Sequence, residues 1–195
     1  RAIKMMAYVM TPLLFGIAAI SEPLILILLT DKWSQSIPYL QLLSLSSAIG
    51  LIGTTSLQAI KAIGRSDVLL SLETVKKPVY FLLLIIGIKI SVLAVAVTML
   101  VYSFYATVLN SNQLRKLIRY SFKEQLEDLI PPVVLSIIMA VLVWSISLLS
   151  LPYVPLLLIQ TIFGVVFYIS VSHVLKLEPY AYTINIIKEK ITNRE

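Results

Sequence analysis

The sequence predicts an all-α membrane protein of six transmembrane helices, on three observations: its composition, the length of its apolar runs and the placement of its basic residues. Of 195 residues, 58% are hydrophobic and 13% charged, with a mean hydropathy of +0.93. Soluble domains carry roughly 45–50% apolar and about 25% charged residues. A hydrocarbon core of about 30 Å takes about 20 helical residues per crossing, and a helix satisfies its own backbone in lipid. The apolar runs are Met5–Leu29, Ile37–Ile60, Val75–Ile88, Ile90–Leu109, Leu129–Leu149 and Tyr153–Leu175.

The first run contains Pro12 and Pro23, the latter directly behind Glu22. A proline removes an intrahelical hydrogen bond and crowds the preceding turn, so two bends are predicted in this span. Glu22 either reaches water near the helix end or couples transport to a proton or cation, because acids at membrane depth mark function. Trp33, beside Asp31 and Lys32, marks the interface that follows, where amphipathic rings settle. In the second run Gln41, Ser44, Ser47, Thr54, Gln58 and Lys61 recur at helical spacing, interrupted by Leu51. That stripe has two readings. With Ser46, Gly50, Gly53 and Thr55 it is interhelical adhesive made of small and hydroxyl residues. Alternatively it is one wall of a hydrophilic cavity for a hydroxyl-rich substrate, with Lys61 meeting negative charge. The run closes at AIKAIG, where Lys61 suits the helix dipole and Gly64 a left-handed position just past the end. Ser66 or Asp67 is placed to cap the next helix.

Only Lys89 separates the third and fourth runs. One helix from Pro78 to Asn110 would extend about 50 Å, beyond a single bilayer. A tight hairpin is therefore predicted near Gly87–Ser91, with Lys89 snorkelling at its turn. Leu114, Leu117, Ile118, Phe122 and Leu126 recur against Arg115, Lys116, Arg119, Lys123 and Glu127, predicting an interfacial amphipathic helix over about 113–128. Within it Ser121 and Glu124 match a capping box, and Pro131-Pro132 lead into the fifth span. In the last span Gln160 reads as a helix–helix hydrogen bond. The tail repeats the amphipathic pattern, with Tyr180, Ile184, Ile187 and Ile191 beside Lys188 and Lys190, predicting a second surface helix over about 179–191. Residues 1–195 thus read as one six-helix unit with spans at about 5–29, 37–60, 75–88, 90–109, 129–149 and 153–175.

Six spans place Arg1, Lys4, Lys61, Arg65, Lys76, Lys77, Arg115, Lys116, Arg119, Lys123, Lys176, Lys188, Lys190 and Arg194 on one side, leaving Lys32 and Lys89 opposite. By the positive-inside rule both ends are cytoplasmic. The net charge of +6 and pI near 9.5 are then topological signals. Basic residues dispersed beside spans, with no soluble module to gather them, argue against nucleic-acid binding. The chain begins RAIK, without Met or signal peptide, and reads as a fragment of a longer protein.

The lone His173 has no Cys or carboxylate at metal spacing and reads as a partly solvated side chain. With no cysteine, and Glu22 the one acid within a span, thiol chemistry, paired carboxylates and a Ser-His-Asp arrangement lack their parts. No catalytic residue, metal site or cofactor is expected.

The runs EPLILILLTDKWSQSIPYLQLL, LQAIKAIGRSDVLLSLETVKK and YSFKEQLEDLIPPVV resemble the C-terminal half of bacterial polysaccharide-repeat flippases, in the multidrug/oligosaccharidyl-lipid/polysaccharide exporter superfamily. The resemblance extends from about Lys4 to Lys188. It implies one lobe of a twelve-helix MATE-like transporter in the bacterial inner membrane, partnered by a missing N-terminal six-helix lobe and by membrane lipids. It further implies flipping of an undecaprenyl-pyrophosphate-linked oligosaccharide for O-antigen, lipopolysaccharide or related polysaccharide biosynthesis. The pyrophosphate would meet Lys61, Arg65, Lys76 and Lys77, the glycan would pass Ser44, Ser47, Thr54 and Gln58, and Glu22 is the candidate for ion coupling. The alternatives are a cation-coupled multidrug exporter of the same superfamily and a structural membrane subunit without transport. A glycan polymerase or transferase would need large soluble loops or carboxylates near the active face, and the longest gap, Ser111 to Asp128, reads as an amphipathic helix without such a constellation.

Overall fold

The computed structural model describes residues 2–118, 122–149 and 151–182, which are helical almost throughout and contain no strand. In order come α1 (Ala2–Ala19), α2 (Ser21–Leu29), a 3-10 turn (Asp31–Ser36), α3 (Ile37–Ala62), α4 (Ser66–Ile90), α5 (Val92–Ile118), α6 (Phe122–Ile146), a short 3-10 turn (Ser147–Leu149) and α7 (Tyr153–Val174). The chain is an all-α membrane protein. Helices α5, α6 and α7, and α3 with its leading turn, are long and apolar enough to cross a bilayer, and α1 with α2 makes a fifth crossing if the bent pair is one span. Helix α4 carries Glu73, Lys76, Lys77 and Lys89 along its length and does not meet that standard by composition.

The exterior is what lipid demands. Leu70, Ile90, Val92, Leu148 and Val174 are all at least 70% exposed, while Thr11, Ser21, Ser56, Ser136 and Gln160 lie buried. Six of the seven described α-helices form two groups of three, and α2 packs on α7 and α3. Helix α5 packs on α3 and α4 around Ile60, Leu72 and Leu114; α1 packs on α6, and α6 on α7, around Tyr8, Leu135, Met139, Val143 and Tyr168. Contact between α1 and α3 joins the groups. Lys61, Arg65, Arg115 and Lys116 gather at one end of the bundle, where Lys4 also pairs with Glu178 at 2.8 Å. Trp33 and Val92 meet at the other.

The first apolar run breaks just ahead of its second proline. Its two helices meet at 68°, with the break at Ile20, three residues before Pro23, which cannot donate to the Ala19 carbonyl and crowds it. Helix α1 continues through Pro12. Pro12 cannot donate to the carbonyl of Tyr8; the Tyr168 hydroxyl donates to it instead, at 2.9 Å from α7. Thr11 donates to the Ala7 carbonyl at 2.8 Å and lies 2.9 Å from the Ser136 hydroxyl. The proline is thus absorbed by hydroxyls of neighbouring helices. Tyr168→Phe is expected to cost about 1–2 kcal/mol by stranding a buried carbonyl. In a Pro12→Ala background, where the helix supplies its own N–H, the same change should cost less than half as much, measured by unfolding in detergent as a double-mutant cycle.

Two helices occupy 66–118, divided at Ser91, whose backbone is fully extended. Its Oγ accepts the Ala94 N–H at 3.0 Å, capping α5. A Cβ on Gly87 would lie 2.9 Å from the Val95 Cα, so the close approach of the hairpin's arms requires glycine there. The described residues of the segment expected as a surface helix over 113–128 belong to two longer helices. Residues up to Ile118 are the last turns of α5, and α6 starts at Phe122 and runs through Pro131 and Pro132. Leu114 is fully buried against Ile60 and Leu72, so its place in the apolar pattern serves packing on α3 and α4. Ser121 of the capping pair and most of the predicted tail helix, from 183 onward, lie outside the described residues, as do Arg1, Arg119, Lys188, Lys190 and Arg194.

Candidate functional site

The polar residues of α3 lie on different faces, and the two readings of its stripe apply to different side chains. Towards α5, the Ser103 hydroxyl donates to the Ser46 carbonyl at 2.7 Å, Thr107 to Ile49 at 3.0 Å, and the Asn110 amide to Gly53 at 3.0 Å. Ser46 returns a bond to the Met99 carbonyl at 3.2 Å. A Cβ on Gly53 would sit 2.8 Å from the Thr107 Cα, and one on Gly50 would sit 2.7 Å from the Ser103 Oγ. Small residues let the two backbones close up until hydroxyls of one reach carbonyls of the other. This is the adhesive face.

Ser47, Thr54, Gln58 and Lys61 form a separate, exposed line down α3, with Leu51 half-buried between them. Ser47 donates to the Leu43 carbonyl at 2.8 Å and Thr54 to the Leu51 carbonyl at 2.9 Å, both within their own helix. Their protons are thereby occupied, and their oxygens remain able to accept a bond from outside. Gln58 has no side-chain partner among the described residues. Ser44 leaves the line: it is 6% exposed and buried in the bundle. Gln41 opens instead into a cleft of about 280 Å³ between α1, α3 and α6, whose aromatic walls are Phe15 and Trp144. The sequence stripe included Gln41 but carried no sign of these partners, which come from distant helices.

The four candidate cations do not form one cluster. Lys61 is exposed in the last turn of α3, and Gly64 beyond it has φ +77°, the left-handed position expected of it. Neither Ser66 nor Asp67 caps α4. Asp67 instead receives two bonds from the Arg65 guanidinium, at 2.9 and 2.7 Å. Those bonds hold the Asp67 carboxyl down at about 2 and push Arg65 up. A depressed carboxyl stabilises above its unfolded value near 4 and loses that contribution as pH falls through about 2, so the pair persists at any physiological pH. Arg65→Gln should return the Asp67 titration to the ordinary carboxylate range, read from its carboxyl carbon shift. Lys76 is buried and bonded to Glu73 at 2.7 Å, whereas Lys77 is exposed. Both lysines sit ten or eleven residues into α4, about 15 Å along its axis from Ser66. Among the described residues, Lys61 and Lys77 are therefore the exposed members without an ion-pair partner, at different depths.

Glu22 is exposed in the first turn of α2, just past the 68° bend, where the helix dipole favours a carboxylate. Gln160 does bridge helices, its amide donating to the Val143 carbonyl at 3.0 Å. His173 is exposed near the end of α7, its ring 5.5 Å from that of Tyr180.

Residues 1–38 match a protein family described as polysaccharide biosynthesis protein. The matched segment comprises α1, α2, the following 3-10 turn and the first residues of α3. No curated protein and no solved structure matches the chain. The family match supports a role in polysaccharide synthesis or export.

Proposed function

We propose that this chain is one lobe of a translocator that carries a polyprenyl-pyrophosphate-linked oligosaccharide across the bacterial cytoplasmic membrane. On this reading it crosses six times, with α4 as the sixth span and the Lys61 end in the cytoplasm. The observation that carries the proposal is the exposed line Ser47, Thr54, Gln58 and Lys61 on a spanning helix. Polar side chains facing hydrocarbon are costly, and these are not needed to hold α3 to α5, because Ser46, Thr107 and Asn110 do that on another face. A second six-helix lobe opposite α3 would turn the line into the wall of a hydrated path. Hydroxyl oxygens and an amide there suit glycan hydroxyls, and Lys61 meets the pyrophosphate as a charge-assisted partner. The match to a polysaccharide biosynthesis family supports the class of cargo. The chain moves this cargo without making or breaking a bond in it.

The test is delivery of glycan to the outer leaflet by the full-length protein. Gln58→Leu with Thr54→Val is expected to reduce delivery at least tenfold, while the amount of folded protein in the membrane stays within twofold of wild type. Equal losses of protein and delivery would make the line structural and overturn the proposal.

A further inference from the structure

At the end of the bundle opposite Lys61, the 3-10 turn Asp31–Ser36 and the starts of α3 and α5 border an open cleft of about 440 Å³. Its walls are Lys32, Trp33, Gln35, Ser36, Tyr39 and Val92. We propose that this cleft binds a neutral saccharide unit; the inference rests on the translocator reading and locates where the glycan is received after crossing.

Three observations converge on that chemistry. The first is the lining. Trp33, 56% exposed, supplies an aromatic face in a recess that also holds Tyr39, an amide, a hydroxyl and an ammonium group. A sugar ring has the matching duality, with C–H faces that rest on the electron-rich face of an aromatic ring and hydroxyl edges that exchange hydrogen bonds. The volume lies within the range of about 300–1,000 Å³ usual for small-ligand sites. The second is that the polar groups are uncommitted. Among the described residues, the side chains of Lys32, Gln35 and Tyr39 have no hydrogen-bond or ion-pair partner, whereas the hydroxyls of Ser47, Ser91 and Ser103 all do. The third is the backbone. Thr30 has φ 72° and ψ 171°, a conformation that suits glycine and strains a β-branched residue. That residue turns the chain out of α2 and starts the turn that carries Lys32, Trp33, Gln35 and Ser36 to the rim.

Charge argues for a neutral ligand over a lipid phosphate. Asp31 adjoins Lys32 on the same exposed turn, so the local net charge is near zero and a phosphate gains little there. A Trp serving only as an interfacial anchor needs a lipid-facing surface; Trp33 instead lines a recess together with groups that hydrogen-bond.

The experiment uses the full-length protein in nanodiscs, labelled with 5-fluorotryptophan and read by fluorine NMR, the Trp33 resonance being assigned through Trp33→Phe. The probe is the repeat-unit oligosaccharide released by mild acid from the surface polysaccharide of the producing strain. A saturable shift of the Trp33 resonance is expected, with the midpoint raised about five- to tenfold by Gln35→Ala and by Tyr39→Ala, as for the loss of one hydrogen bond or ring contact. A Trp33 resonance that ignores the oligosaccharide, or that responds only to the anionic lipid content of the disc, overturns the cleft. The two proposals fail separately. If the cleft falls while Gln58→Leu with Thr54→Val still impairs delivery, the translocator stands; if the wild-type protein fails to restore outer-leaflet glycan to a deletion strain, the translocator falls.

Discussion

Gly53→Leu is expected to leave little folded protein in the membrane, the largest structural effect of any single change to α3. The first atom of the new side chain would lie 2.8 Å from the Cα of Thr107, a backbone atom that cannot rotate away. The helices must therefore separate. Overpacking of this kind costs about 1–3 kcal/mol by itself. Separation also stretches the Asn110–Gly53, Thr107–Ile49 and Ser103–Ser46 bonds, each worth about 0.6–2 kcal/mol between membrane helices. Those terms together rival the whole stability of a small domain, about 5–15 kcal/mol. Gly16→Ala is the control. Its Cβ would meet only the end of Met139, at an ordinary 3.7 Å, and unfolding in detergent should barely change. Wild-type stability in Gly53→Leu would show that α3 and α5 do not pack as described.

The second large effect is an asymmetry at the buried ion pair of α4. Glu73→Ala should destabilise by about 2–4 kcal/mol, because it strands the Lys76 ammonium in the protein interior. The lower part of that range applies, since the Glu73 side chain is 42% exposed and water can partly replace it, while that of Lys76 is 5% exposed. Lys76→Met should change stability by less than about 1 kcal/mol, as it removes charge and desolvation together and keeps the shape. Equilibrium unfolding of the two variants side by side makes the comparison, and equal losses would place Lys76 in water. The same pair bears on transport: Lys76 neutralises Glu73 and is spent within the bundle, so Lys61 and Lys77 are the lysines whose loss should weaken binding of a pyrophosphate headgroup.

Much of the architecture was legible in the residues. The hairpin at Gly87–Ser91 follows from a length argument, since an unbroken helix overshoots the bilayer, and from a glycine and a serine whose chemistry suits close approach and capping. Gly64 is readable because few residues other than glycine adopt φ +77° without strain. Of the two prolines in the first span, Pro23 follows the break as expected, whereas α1 runs on through Pro12, because the substitute for its lost bond is a tyrosine more than 150 residues away. Over 113–128 amphipathic periodicity reports that one face is covered, and it takes the tertiary structure to show that α3 and α4 cover Leu114.

The same division runs through the candidate site. Helical class and the presence of several helices long enough to cross a bilayer are determined by the sequence, because apolar composition excludes water and each helix satisfies its own backbone. Only the tertiary structure decides which polar side chains are consumed. Ser46 and Gly53 against Ser47 and Gln58, or Lys76 against Lys77, are near neighbours with similar chemistry in sequence, and they separate when one face of a helix meets a partner that takes its hydrogen bonds and charge while the other face is left to accept a ligand.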